Sequence, residues 1–204
     1  MYHVVIADDH PLFRRALRDA LYDTGQRCDI TECETFDQAL EQIEAHQPDV
    51  LLLDLKMPGN SGLFGLMRLR SEYPQLAIVV VSASEDSAII ANIRQLGALG
   101  FIPKSCSMEH MTEALSRVMN GHLSFPEFVD QQSSAMTEKL ASLTPQQLRV
   151  LHLIAEGALN KQIGYSLNIK ETTVKSHISD IFRKLDINNR TQAALIVQQL
   201  DVPD

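Results

Sequence analysis

Five side chains that could take part in chemistry each follow a short apolar segment: Asp8, Asp9, Asp54, Ser82 and Lys104. Asp54 ends a run of apolar residues at 50–53, and a Pro-Gly pair follows shortly after it. A carboxylate at the tip of a buried segment is costly unless another group compensates its charge. A metal ion, a lysine or a transferred phosphoryl group could do so. Taken singly, each of these side chains could equally cap a helix or lie in a solvated loop.

Taken together, these side chains suit phosphoryl transfer. Carboxylates that share one crevice repel one another, and Mg²⁺ is the hard cation that such oxygens prefer. With Mg²⁺ and Lys104 offsetting the negative charge, Asp54 could attack an anionic phosphorus and form an aspartyl phosphate. Ser82 offers a hydroxyl donor to a phosphoryl oxygen. Phe101, three residues before Lys104, could move between buried and exposed positions or simply pack in the core.

Five predicted strands position these groups, and predicted helices alternate with them: strands 3–7, 29–33, 50–54, 77–81 and 99–102. The run at 50–54 is apolar throughout, as is typical of a central parallel strand covered on both faces. Alternating strands and helices favour an α/β fold with a parallel sheet. Ligands of such sheets bind outside the carboxyl ends of the strands. All five side chains are therefore expected in one crevice.

Composition limits the functional classes. The chain has 204 residues and a net charge of −8, and most of the acidic excess lies in residues 1–121. That part is a poor nucleic-acid binder, whereas residues 142–204 are weakly basic. No apolar run approaches the roughly 20 residues of a membrane span, and no secretion signal begins the sequence. Three cysteines without a CxxC motif predict reduced thiols in a cytosolic protein.

A second, all-helical domain is predicted from about residue 142. Thr144, Pro145 and Gln147 have the types and spacing of a helix start with a capping box. Helices are predicted at about 145–156, 160–167, 171–185 and 190–200. The predicted organisation is thus 1–121, a linker at 122–141 that is flexible around Gln131–Ala135, and 142–204.

Residues 3–121 resemble the receiver domain of bacterial two-component response regulators. The resemblance rests on the pair Asp8-Asp9, Asp54 in LLLDLKMPG, Ser82-Ala83, Phe101 and Pro103-Lys104. It implies a doubly wound, flavodoxin-like five-stranded parallel sheet. It also implies that Asp54 accepts a phosphoryl group from a sensor histidine kinase.

The resemblance further implies a Mg²⁺ site. Asp9, Asp54 and the backbone carbonyl of Lys56 would hold the ion, with Asp8 in support. Ser82 and Phe101 take the switch positions of the family. Pro103 precedes the lysine, whereas many receivers have a proline after it, but this departure removes no functional group.

Residues 143–200 resemble the helix-turn-helix domain of the LuxR/NarL/FixJ group. The matching stretch is LTPQQLRVLHLIAEGALNKQIGYSLNIKETTVKSHISDIFRKLDINNRTQAALI. Gln147 replaces the glutamate that is frequent in this family, and Gly164 replaces the usual alanine. Glycine costs about 1 kcal/mol of helix propensity there, and it would permit a close helix crossing.

The helix from Glu171 is the predicted recognition helix, whose N-terminal part would approach base edges in the major groove. Lys175, Ser176 and Ser179 are the predicted base-proximal side chains. Further candidates, for phosphate contacts or for helix packing, are Asn160, Lys161, Thr173, His177 and Lys184. The lysines could also belong to a solvated helix face. Helix 190–200 is expected either to form a dimer or to pack in the core, through Ala193, Ala194, Ile196, Val197 and Leu200.

These observations predict a phosphorylation-controlled, DNA-binding transcription regulator. The expected partners are DNA, a sensor histidine kinase, RNA polymerase and a second copy of the chain, in the cytoplasm and without a membrane. No enzymatic activity beyond slow self-dephosphorylation is expected. A phosphatase of the haloacid dehalogenase type would need aspartate where Lys56 stands, and Asp8-Asp9 would repel a flavin phosphate. The remaining alternative is a phosphate-independent DNA-binding regulator with an unused receiver pocket.

Overall fold

A computed structural model describes residues 1–126 and 135–200 of the chain. Five strands form one sheet: β1 (Tyr2–Ala7), β2 (Cys28–Cys33), β3 (Val50–Asp54), β4 (Ala77–Ser82) and β5 (Gly100–Pro103). All neighbours are parallel, in the order β2-β1-β3-β4-β5. Asp54 lies opposite Val81, and Ser82 lies opposite Pro103, so the carboxyl ends meet at one edge. The predicted parallel sheet with a central strand at 50–54 is confirmed.

Helices cover both faces of the sheet: α1 (Pro11–Asp23), α2 (Phe36–His46), α3 (Leu63–Glu72), α4 (Ser87–Gln95) and α5 (Met108–Met119). Side chains of a strand point alternately to its two faces. In β3, Leu52 packs in the same apolar cluster as α1 and α5, while Leu51 and Leu53 pack in the cluster of α2, α3 and α4. Both faces of β3 are therefore buried, as its continuous apolar run predicts.

The helix starts follow local sequence signals. Pro11 opens α1, where its missing N–H would have no intrahelical partner. The side chains of Thr35, Asp86 and Ser107 each accept a backbone hydrogen bond at the N-terminus of the helix that follows. Thr35 is thus the cap of α2, not Asp37, which lies within the first turn.

The C-terminal part is helical in its described residues. Its helices are α6 (Ala135–Ala141), α7 (Pro145–Ala155), α8 (Asn160–Ser166), α9 (Glu171–Leu185) and α10 (Arg190–Gln199). The capping box of Thr144 and Gln147 is present. A Cβ atom at Gly164 would lie 2.8 Å from the carbonyl oxygen of Ile169. Glycine therefore allows the close approach of α8 to the turn that leads into α9.

The predicted linker contains more structure than its sequence indicates. Ser124 pairs with the free edge of β5, since its carbonyl accepts from Phe101 N at 2.8 Å. Helix α6 starts at Ala135, and Thr137 Oγ1 donates to Asn92 Oδ1 of α4 at 3.0 Å. The polar residues 131–134 of the predicted flexible stretch lie outside the described residues. The domain limits at 121 and 141 stay predictions.

Helices α3 and α7 bring the two halves into contact. Arg149 Nε lies 2.8 Å from Glu72 Oε1, and the Phe64 ring stacks on His152 at a centroid distance of 5.3 Å. The backbone N–H of Leu63 donates to the carbonyl of Leu200 at 3.0 Å. Within 1–126 and 135–200, all helices are too short or too polar to cross a membrane. The three cysteines are free thiols, as predicted.

Candidate phosphoacceptor site and DNA-binding face

Lys104 links the two most buried carboxylates at the carboxyl edge of the sheet. Its Nζ lies 2.8 Å from Asp54 Oδ2 and 2.7 Å from Asp8 Oδ2. Asp54 is 2% exposed and Asp8 is 1% exposed. Buried charges of this kind are tolerated only when an opposite charge pairs with them. The structure therefore brings Asp8, Asp54 and Lys104 together, as the positions of these residues at the strand ends predict.

The environment of Lys104 keeps the ammonium charged. Burial lowers its pKa, but hydrogen bonds and charge attraction to Asp54 and Asp8 outweigh this effect, so the pKa lies above its usual value. The ammonium also lies 4.8 Å from the centroid of the Phe13 ring, within the range of a cation–π contact. The pocket thus holds a fixed positive charge beside the Asp54 carboxylate.

Asp9 completes an acidic cluster at this edge. Ligand atoms of Asp8, Asp9, His10 and Asp54 all lie within 4.8 Å of one another. His10 Nδ1 lies 2.7 Å from Asp9 Oδ1, and the imidazole is 67% exposed. Carboxylate oxygens at this density are the donors that Mg²⁺ prefers, so the residues present fit this ion. His10 directly follows the acidic pair but was not among the predicted metal ligands.

The loop after β3 fixes the Asp54 side chain. The backbone N–H of Lys56 donates to Asp54 Oδ1 at 2.9 Å, while Lys104 holds the other carboxylate oxygen. The Asn60 amide donates to the carbonyls of Asp54 and Leu55. Both oxygens of the proposed acceptor are therefore oriented before any phosphoryl group arrives.

The predicted switch residues lie on the two neighbouring strands. Ser82 is buried at the end of β4, where its hydroxyl accepts from Ser84 N at 3.2 Å. Its carbonyl accepts from Lys104 N at 2.8 Å, which links β4 to the lysine loop. Phe101 is 2% exposed and packs in the core. In this structure Phe101 therefore occupies the core-packed position, one of the two that were expected for it.

Arg14 supports the pocket from α1, and the sequence analysis missed it. Its guanidinium is buried and donates to the carbonyl of Asp8 at 2.8 Å. The other nitrogens lie 3.0 Å from Glu32 and 2.7 Å from Glu34, at and just beyond the end of β2. An arginine on the otherwise apolar face of α1, shared with Leu17 and Leu21, was the available signal.

Helix α9 presents the predicted base-proximal side chains to solvent. Thr173, Lys175, Ser176 and Ser179 are all exposed. Lys175 Nζ lies 3.1 Å from Glu171, and the Ser179 hydroxyl donates to the carbonyl of Lys175. The opposite face, including Val174 and Ile181, is buried in the domain core. The helix thus has the amphipathic form of a groove-binding helix that is held on a scaffold.

Other predicted DNA contacts have partners within the domain. Lys184 Nζ donates to the carbonyl of Ser142 at 2.8 Å and to Gln147 Oε1 at 2.9 Å. Asn160 Oδ1 accepts from Arg190 at 2.7 Å. Both observations favour the helix-packing alternative for these two residues. Lys161 is exposed, and His177 is half-buried.

Helix α10 packs mainly on its own domain. Ala193, Ile196, Val197 and Leu200 are buried, and α10 lies against α7. These side chains therefore favour core packing over a dimer contact in this arrangement. On the outer face of α10, Leu195 remains 51% exposed.

Comparison with known families identifies both parts of the chain. Residues 4–116 match the family "Response regulator receiver domain", which is more than half of the chain, and residues 141–197 match "Bacterial regulatory proteins, luxR family". The chain belongs to the response regulators. This response regulator carries a receiver domain followed by a LuxR-type DNA-binding domain, as the sequence analysis predicted.

Relatives of this response regulator align over nearly their whole length. It is 41% identical to the "Glycerol metabolism activator" of Pseudomonas putida, covering 98% of this chain and 97% of the relative. It is 35% identical to the nitrate/nitrite response regulator protein NarP of Escherichia coli, covering 97% and 95%. Among solved structures it is similar to RcsB of Salmonella enterica bound to promoter rprA, with a TM-score of 0.58, 26% identity and coverage of 98% and 100%.

The family membership agrees with the geometry of both halves. Receiver domains generally bind Mg²⁺ at an acidic pocket, and Asp8, Asp9 and Asp54 form such a cluster in this response regulator. The LuxR-type domain provides a DNA-binding output in place of a typical enzyme active site. DNA-binding transcription regulation is therefore the general function of this chain.

Proposed function

We propose that this response regulator is controlled by phosphorylation of Asp54 and that the phosphoryl group alters DNA binding by the C-terminal domain. The observation that carries the proposal is the pair of contacts from Lys104 to Asp54 and Asp8, buried at the carboxyl edge of the sheet. A charge balance of this kind is needed when an anion reacts with a buried carboxylate. A sensor histidine kinase is the proposed phosphodonor.

Each residue of the pocket has a proposed role in the transfer. An Asp54 carboxylate oxygen attacks the phosphorus, the bond to the donor atom breaks, and the leaving group departs with its electron pair. Lys104 stabilises the charge on the phosphoryl oxygens, and the Ser82 hydroxyl donates to one of them. Asp8, Asp9, Asp54 and the Lys56 carbonyl would hold Mg²⁺, which supplies further charge neutralisation when bound.

Intact-mass measurement with acetyl phosphate tests the acceptor. The wild-type chain should gain the mass of one phosphoryl group in the presence of Mg²⁺ and lose this gain when EDTA is added. Asp54→Asn should abolish the gain, whereas Asp19→Asn, an exposed aspartate on α1, should retain it. Equal labelling of the Asp54→Asn chain would refute the assignment.

The arrangement of the domains supports control through orientation. The N-terminal part of α9 is exposed even though α3 contacts α7. Phosphorylation would therefore act by loosening or re-forming the α3–α7 contact and by favouring a dimer on DNA, which is a population shift between arrangements. We place the regulator in the cytoplasm, with DNA, the kinase, RNA polymerase and a second copy as partners.

The exposure of α9 also favours one alternative, a DNA-binding regulator that does not depend on phosphate. In that case the pocket would be present but unused. DNA affinity and oligomeric state would then be the same with and without a phosphoryl group, which separates the two functions.

A further inference from the structure

The Asn60 side chain reaches back from the loop after β3 to the phosphoacceptor strand. Its Nδ2 donates to the carbonyl of Asp54 at 3.0 Å and to the carbonyl of Leu55 at 3.2 Å. A primary amide has two N–H donors, so one nitrogen can serve two carbonyl acceptors. Asn60 is thus bonded to two consecutive peptide units, Asp54–Leu55 and Leu55–Lys56, which flank the Cα atom of Leu55.

The same side chain lies against α3 at a glycine. Since both strand-side partners are acceptors, the amide nitrogen must face them, and Oδ1 faces the helix. Oδ1 is buried without a hydrogen-bond partner. A Cβ atom on Gly65 would overlap Oδ1 of Asn60, and its next contact with another residue would be Phe36 Cε2 at 3.4 Å. Gly65 therefore provides the space that Asn60 occupies.

A buried oxygen without a hydrogen-bond partner lowers the stability of the fold. If the Asn60 side chain served only to fill this space, an apolar side chain would be more stable there. Buried unpaired polar groups in native structures therefore call for another explanation. The contacts on the other side of the amide provide one. They fix the turn whose next residue, Lys56, donates its N–H to Asp54 Oδ1 at 2.9 Å.

We propose that Asn60 is a positioning residue for phosphorylation of Asp54 and that Gly65 forms its socket on α3. The proposal rests on the proposed function of Asp54. The Asn60 amide donates to the carbonyls of Asp54 and Leu55 and so fixes the turn after β3. In this turn the Lys56 N–H donates to Asp54 Oδ1. The other carboxylate oxygen, Oδ2, accepts from Lys104. An acceptor that is already oriented does not have to lose that freedom during the reaction.

A double-mutant cycle on the full chain tests this pairing. The rate constant of phosphorylation by acetyl phosphate is measured by intact mass at saturating Mg²⁺ for Asn60→Ala, Gly65→Ala and the double variant. Each single variant should slow the reaction roughly tenfold, the loss expected for removing a shared pair of hydrogen bonds. The double variant should be no slower than Asn60→Ala, because a Cβ at position 65 then has no amide to displace.

Two further variants complete the test. Asn60→Asp keeps the shape but loses the donor and should also be slow, while Ser61→Ala, next in the loop, should react at the wild-type rate. Urea unfolding of each variant is measured in parallel, because a purely structural role would lower the midpoint and leave the rate of the folded chain unchanged. That result, or additive losses in the double variant, would overturn the proposal.

Two results distinguish a failure of the proposed function from a failure of the positioning role. If the wild-type chain takes no phosphoryl group on Asp54, the proposed function is wrong and the positioning role falls with it. If the wild-type chain is labelled on Asp54 and folded Asn60→Ala reacts equally fast, only the role of Asn60 is wrong.

Discussion

Lys104 balances the charge of the receiver pocket, and its removal should destabilise the fold. Lys104→Met keeps the long side chain beside Phe13 but leaves Asp8 and Asp54 buried without their partner. We expect a loss of about 3–5 kcal/mol in the free energy of unfolding at neutral pH, measured in urea. Mg²⁺ should recover part of that loss. Lys139→Met, which removes a solvent-exposed ion pair with Asp186, should cost less than about 1 kcal/mol.

The stability difference between the wild type and Lys104→Met should also depend on pH. The pKa of Lys104 is raised above 10.5 in the folded chain, so its stabilising contribution is fully present below the unfolded value. The contribution is lost as the pH rises through the raised folded value. The stability difference between the wild type and Lys104→Met should therefore shrink at alkaline pH. A difference that stays constant from neutral pH to beyond that value would contradict the assigned ion pairs.

The pocket residues that lie at the carboxyl ends of strands could be predicted from the sequence. Asp8, Asp54 and Lys104 follow apolar runs, and parallel strands bring such ends together. The role of Asn60 was not predictable, because its partners are the backbone carbonyls of Asp54 and Leu55. Backbone acceptors carry no residue identity, so no pattern in the sequence indicates where they lie.

Two lysines of α9 are expected to have different roles, one in DNA contact and the other in helix packing. Lys175 is exposed on the predicted groove side, whereas Lys184 donates to Ser142 and Gln147. Lys175→Ala should weaken DNA binding and reduce its salt dependence, with an unchanged thermal midpoint. Lys184→Ala should lower the midpoint of the C-terminal domain instead, because its partners lose a donor. Fluorescence anisotropy with labelled DNA measures the affinity, and thermal melting followed by circular dichroism measures the midpoint. A loss of DNA affinity in Lys184→Ala with none in Lys175→Ala would contradict the predicted groove-facing side of α9.

The elements themselves were largely predictable, except where their stability comes from other elements. Caps and apolar periodicity predict the limits of the five strands and of α7, α8, α9 and α10 to within a residue or two. Helix α6 was missed because its stability depends on long-range contacts, with Leu140 buried and Thr137 bonded to Asn92 of α4. The pairing of Ser124 with β5 is likewise a contact with the sheet edge that local sequence does not encode.

The Glu72–Arg149 ion pair joins the two domains. Burial raises the Glu72 pKa, but hydrogen bonds and charge attraction to Arg149 and Arg68 outweigh it, so the pKa lies below its usual value. Its contribution is therefore present above the unfolded pKa and is lost as the pH falls through the lowered folded value. Glu72 is 8% exposed, while Arg149 is 44% exposed, so the pair contributes modestly.

Arg149→Ala should loosen the contact between α3 and α7. We expect DNA affinity of the unphosphorylated chain to rise by up to about fivefold, which corresponds to 1 kcal/mol of released restraint. Arg68→Ala is the matched control, because Arg68 also bonds Glu72 but lies on the same helix. An Arg149→Ala chain that binds DNA as the wild type does would show that this pair does not restrain the output domain.

DNA binding by the full chain with and without beryllofluoride, a mimic of the phosphoryl group, tests phosphate control directly. The probe is a duplex enriched from a random library by the beryllofluoride-loaded chain with Mg²⁺. The mimic should raise affinity for this duplex roughly 5- to 150-fold, the range of allosteric coupling, or convert a monomer to a dimer. Asp54→Asn should not respond. If the wild-type chain shows neither change while its DNA binding is intact, phosphate control is wrong and the phosphate-independent regulator is the correct function.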